Sequence, residues 1–95
     1  VYDLEMKPPA ERFLKKLKEK ALRAAFKEAL EAIAKNPYVG DAKIGDLAGM
    51  HCYDVAHAGS KYEIAYRIFE KPTPFVAVYL IGPRENFYKD LKRLL

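Results

Sequence analysis

Near the C-terminal end, Phe75-Val76-Ala77-Val78-Tyr79-Leu80-Ile81 runs without a charge. An apolar run this short and this continuous is what a central strand covered on both faces looks like, so the rest of the chain must build around it. The run stops at Gly82-Pro83, and Arg84 follows at once. Tyr88 comes four residues later, in a basic amphipathic segment. The sequence therefore places a cation and a phenol where a buried strand gives out onto a helix or turn.

Upstream, the apolar period identifies the partners of that strand. Val1 to Met6 alternates, with Tyr2, Leu4 and Met6 on one face and Asp3 and Glu5 on the other, as in a half-buried strand. Pro8-Pro9 ends it, because proline removes a ladder donor and suits the first turn of a helix. From Pro9 to about Lys18 the stripe Phe13, Leu14, Leu17 predicts a helix. From about Ala21 to Ala34 the stripe Leu22, Phe26, Ala29, Leu30, Ile33 predicts a second. Glu19-Lys20 reads either as a tight turn or as a continuation. Asn36-Pro37 ends the second helix. Tyr38 to Gly49, punctuated by Gly40, Gly45 and Gly49, reads as a loop tacked to the core by Ile44 and Leu47.

After Gly49 the period changes to two. Met50 to Val55 is a predicted strand, and Ala56 to Lys61 a turn carrying Gly59-Ser60. Tyr62 to Phe69 is a strand with Tyr62, Ile64, Tyr66 and Ile68 on one face and Glu63, Ala65, Arg67 and Phe69 on the other. Two prolines mark Glu70 to Pro74 as a hairpin loop. Arg84 to Leu95 is a predicted short helix with Phe87, Leu91, Leu94 and Leu95 on its apolar side. Sequential strands joined by short loops pair antiparallel. The expected fold is α+β: a two-layer sandwich with an N-terminal strand, a two-helix hairpin, an antiparallel sheet of about four strands and a short C-terminal helix. The helices gather on one sheet face and leave the other partly open.

Composition excludes several classes. The chain has 95 residues, 51% of them hydrophobic and 32% charged, which suits one small domain over residues 1–95. A net charge of +4 is compatible with a phosphate backbone or an acidic protein partner. Cys52 is the only cysteine, so there is no internal disulfide. No Cys/His set has zinc spacing, so neither a metal nor a cofactor is expected. No apolar stretch is long enough to span a bilayer, and the N-terminus lacks a signal-peptide pattern; a cytoplasmic protein is expected.

Taken in order, these segments resemble the RelE/ParE superfamily of toxins from bacterial type II toxin–antitoxin modules. The resemblance rests on FLKKL at Phe13 to Leu17 and ALEAIAKNPYVG at Ala29 to Gly40. It rests also on GDLAG at Gly45 to Gly49, YEIAYRI at Tyr62 to Ile68 and LIGPRENFY at Leu80 to Tyr88. Membership in the RelE-like branch implies a ribosome-dependent mRNA endoribonuclease. In such an enzyme the 2′-hydroxyl attacks the adjacent phosphate, basic side chains hold that phosphate, and no metal is needed. It implies a cognate antitoxin, the ribosome and mRNA as partners. The ParE-like alternative implies a toxin that binds DNA gyrase and cuts nothing; a third reading is an interaction domain on the same fold.

On that pattern Arg84 and Tyr88 correspond to the arginine and tyrosine of the C-terminal motif, and Lys43 to the basic loop before the second strand. Arg84 is expected to clamp phosphate, since a guanidinium fork matches two phosphate oxygens; the alternative is a strand-end arginine paired to a carboxylate. Tyr88 is expected to stack on RNA or relay a proton, or else to cover the core edge. Lys43 and Lys61 are auxiliary cations or solvated loop lysines. His51 is an acid–base candidate or a structural strand histidine. Arg67 is expected in a cross-strand ion pair, and Cys52 as a buried thiol. Two positions depart from the pattern: Asp54, and Glu63 in Tyr62-Glu63-Ile64, stand where relatives commonly carry cations.

Overall fold

The computed structural model describes all 95 residues. Strand β1 spans Asp3–Met6, helix α1 Pro8–Lys16 and helix α2 Lys20–Lys35. The strands β2 (Asp41–Ala42), β3 (His51–His57), β4 (Ser60–Phe69) and β5 (Phe75–Pro83) follow, and helix α3 covers Phe87–Leu94. The sheet is five-stranded in the order β1-β5-β4-β3-β2, so the apolar run and the Tyr62 strand are its centre.

The expected α+β architecture is present, with differences that have physical reasons. The sheet holds one more strand than expected, because two residues of the loop, Asp41 and Ala42, pair with Cys52 and His51. The sheet is mixed. β1 lies parallel to β5, Asp3 opposite Phe75 and Met6 opposite Val78, since the whole chain from α1 to β4 intervenes and no tight turn joins the two strands. The β3–β4 turn shrinks to Ala58-Gly59, both at positive φ, the conformation a two-residue hairpin requires.

Helices α1 and α2 are separate, although neither Gly nor Pro divides them. The Arg23 guanidinium donates to the carbonyls of Leu14 and Leu17 at 2.8 and 2.7 Å, satisfying acceptors that the end of α1 leaves open. The hairpin covers one sheet face. Phe26 is fully buried there, edge-on to Phe13 and Tyr62 at centroid distances of 5.6 and 5.5 Å, over Val55, Ile64, Tyr66, Val76 and Val78.

Helix α3 does not join that layer. Its Phe87 and Leu91 pack with Leu47, Met50, Cys52 and Ala65, which point the other way from β3 and β4. The second face is thus closed at one end by α3 and the Gly45–Leu47 turn. Leu47 anchors this loop as expected; Ile44 does not, being 89% exposed. Arg67 also departs from expectation: no carboxylate pairs with it, and its buried Nε has no hydrogen-bond partner. No helix is long and apolar enough to cross a membrane.

Candidate functional site

The residues of the C-terminal motif reach the second face through the end of β5. Gly82 lies opposite Glu63 and Pro83 opposite Tyr62. The Arg84 amide donates to the Lys61 carbonyl at 3.0 Å, extending the ladder by one residue and fixing Arg84 beside Lys61. The chain then turns through Asn86, whose left-handed backbone (φ 62°) is tolerated by asparagine better than by most residues. The Phe87 amide donates to the Arg84 carbonyl at 3.1 Å, and α3 begins at Phe87, not at Arg84. Tyr88 therefore projects from the first turn of α3, with its ring edge-on to Phe87 at 5.6 Å.

Lys43 comes to the same place from the loop. Its amide donates to the Met50 carbonyl at 2.9 Å, and its ammonium sits 5.0 Å from the centre of the Tyr88 ring, within cation–π range. The loop is held from the far side of the sheet. The buried Tyr66 hydroxyl donates to the Pro37 carbonyl at 2.6 Å and accepts from the Gly40 amide at 3.1 Å. Gly40 is needed there, because a Cβ would press on the Tyr66 hydroxyl and lie 2.9 Å from the Cys52 carbonyl.

At the centre lies Glu63. Its side chain is 1% exposed, and neither carboxylate oxygen has a hydrogen-bond partner. Arg84 Nε stands 3.7 Å from Oε2, an ion-pair distance too long for a hydrogen bond. Asp54 is directly opposite on β3. Burial, reinforced by the Asp54 carboxyl and opposed by Arg84 and Lys43, raises the Glu63 pKa to about 7. Burial also raises Tyr88, against the pull of Lys43, so Tyr88 is a neutral phenol at neutral pH. Lys43 is partly buried, which works against its charge, but Tyr88, Cys52 and Asp41 more than offset this and its pKa is raised. Burial pushes the Cys52 thiol up to about 11, which removes it as a nucleophile.

Arg84, Tyr88, Lys43 and Lys61 thus share one face of the sheet. His51 does not. It alternates onto the hairpin face, where its ring stacks on Tyr66 at 5.8 Å and meets Tyr38 edge-on at 5.9 Å, and burial lowers its pKa. His57 is also elsewhere, 3.0 Å from a Glu19 carboxylate oxygen. Two features escape a reading of the sequence. Glu63 is the most enclosed group of the cluster, signalled only by its place in an alternating strand. Tyr66 anchors the Lys43 loop through the sheet, and nothing in the sequence links residues 66 and 40.

This arrangement offers the cations Arg84 and Lys43 and a neutral phenol around the enclosed Glu63, with no cysteine or histidine nucleophile. No group of three or more His, Cys, Asp or Glu side chains is placed to hold a metal. Such a set suits an anion rather than a metal-bound substrate. The fold carrying it is that of the bacterial RelE-type toxins. The chain belongs to the ParE-like toxin family of type II bacterial toxin–antitoxin systems, whose profile matches residues 4–92. A mutant of Escherichia coli RelE in the free state superposes with a TM-score of 0.72 at 19% identity, covering 100% of this chain and 99% of that one. The toxin–antitoxin complex RelBE2 from Mycobacterium tuberculosis matches at 27% identity and a TM-score of 0.65, covering 87% and 98%. The intact Escherichia coli RelBE complex matches at 20% identity and 0.70, covering 86% and 95%. Among curated proteins none matches the chain by sequence.

Proposed function

We propose that this toxin is a ribosome-dependent mRNA endoribonuclease whose catalytic residues are Arg84 and Tyr88, with Lys43 and Lys61 as auxiliary cations. The observation that carries this reading is the convergence of Arg84, Lys43 and Tyr88 on one patch of the sheet, around Glu63, from three separate segments. The 2′-hydroxyl oxygen of the substrate attacks phosphorus and the bond to the 5′-oxygen breaks. The products carry a 2′,3′-cyclic phosphate and a 5′-hydroxyl. Charge builds on the phosphorane oxygens, where Arg84 supplies a planar fork and Lys43 a second cation. Tyr88, neutral and beside Lys43, gives its proton to the departing 5′-oxygen, and its ring is a platform for a splayed base. The 2′-hydroxyl proton passes to water.

Cytoplasmic action on ribosome-bound mRNA, and neutralisation by a cognate antitoxin, belong to the same reading. A translation extract programmed with a defined mRNA tests it. New 5′-hydroxyl ends mapped by primer extension are expected with wild type and are lost with Arg84→Ala. Intact mRNA with active, folded wild-type protein sinks the nuclease reading. The carboxylates at Asp54 and Glu63, within reach of any bound phosphate, favour a second reading as a ParE-like inhibitor of DNA gyrase. In that case supercoiling by gyrase falls while mRNA stays whole.

A further inference from the structure

Glu63 has no task in the reaction above, yet it lies buried at the centre of this cluster. Its cross-strand neighbours are Asp54 on one side and Gly82, which has no side chain, on the other. Arg84 is its sole ion-pair partner. Lys43 from the loop, Asp54 and Cys52 from β3, and Tyr88 from α3 complete its charged and titratable surroundings. Lys61 precedes it on the same face of β4. An ionised Glu63 draws the Arg84 guanidinium inward and repels an incoming phosphate. A protonated Glu63 does neither. The carboxyl is enclosed and unpaired by hydrogen bonds, so its charged form is the costly one.

We propose that Glu63 is a positioning residue for Arg84, and that binding of a phosphodiester at this site is coupled to uptake of a proton by Glu63. The proposal rests on the reading of this cluster as a phosphate clamp, not on cleavage. The burial that raises the Glu63 pKa to about 7 sets the coupling close to neutral pH. Neither histidine belongs to this cluster: His51 stacks on Tyr66 across the sheet, and His57 pairs with Glu19.

The test is an NMR titration of the whole protein with an RNA trinucleotide that carries 2′-deoxy sugars 5′ of each phosphate. This probe is not cleaved, and its diesters keep one charge each from pH 6 to 8.5. Wild type is expected to bind about tenfold or more weakly at pH 8.5 than at pH 6, the linkage of one proton. Glu63→Gln is expected to bind equally at both, as tightly as wild type at pH 6. Asp54→Asn is expected to move the midpoint to lower pH, and it keeps the test open if Glu63→Gln does not fold. Equal wild-type affinity at the two pH values overturns the proposal. So does full pH dependence in Glu63→Gln, or an unmoved midpoint in Asp54→Asn. Absence of binding at either pH removes the phosphate clamp and this proposal with it. Proton-linked binding without ribosomal cleavage upholds the proposal and removes only the nuclease reading.

Discussion

The two faces of the sheet are built on opposite terms. On the hairpin face, Phe26, Ile33, Ile64, Val76 and Val78 are fully buried with no polar atom to satisfy; the half-buried His51 leaves its Nδ1 unpaired, but the one buried hydroxyl, on Tyr66, has two hydrogen bonds. On the α3 face, an equally buried residue, Glu63, has none. Ile64 and Glu63 leave the same strand, one residue apart. The difference teaches that β4 is a core strand on one side and the floor of a site on the other. An unsatisfied buried polar group is costly to keep and marks function more often than packing.

Four measurements break or sharpen that contrast. The largest effect belongs to the hairpin face: Phe26→Ala is expected to cost about 3–5 kcal/mol, read from urea or thermal unfolding, because it empties the aromatic centre of the core. RNA cleavage per folded molecule should survive it. Next comes Arg84→Ala, expected to lower the single-turnover cleavage rate about a hundredfold or more, about 3 kcal/mol of transition-state stabilisation, with unfolding unchanged. If both variants lost stability and activity together, the two faces would not be separable.

Tyr66→Phe crosses the divide. It removes the hydroxyl that bonds Pro37 and Gly40, at about 1–2 kcal/mol of stability. Through Gly40 it should also loosen the Lys43 loop, seen as faster amide exchange at residues 40–43. Unchanged exchange there would show that the loop does not depend on Tyr66. The last measurement is the pH dependence of stability. The native Glu63 pKa is raised above its ordinary value of 4.5 to about 7, so between those values the native state holds more protons than the unfolded chain. Stability from this group is therefore lost as pH rises through the window. Denaturant midpoints of wild type minus Glu63→Gln should fall from pH 4.5 to 8; a flat difference would place Glu63 in water.

Much of the fold was legible because its elements announce themselves locally. The charge-free run at Phe75, the alternation at Tyr62 and the stripe through Phe26 each define one element by period alone. The C-terminal motif was legible in part: Arg84 and Tyr88 do meet on one face, but Arg84 extends β5 and only Tyr88 lies on α3. Lys43 and His51 were not distinguishable as site members, since each lies in or beside a short β segment flanking the 36–50 loop. The side of the sheet each one faces depends on how the 36–50 loop meets β3. That loop is anchored by Tyr66, a contact between residues far apart in the chain. The break between α1 and α2 was ambiguous for a related reason: Arg23, from the second helix, terminates the first.

By itself the sequence determined the kind and order of the elements, the central place of the apolar run, and the presence of a cation and a phenol at its exit. These follow from local backbone preference and from hydrophobic period, which act over a few residues. The tertiary structure alone decided that β1 runs parallel to β5, that α3 closes the second face, and that His51 faces away from Arg84. It also decided that Glu63 is enclosed. A one-residue step along a strand moves a side chain from one face to the other, and burial depends on what the rest of the chain lays over that face.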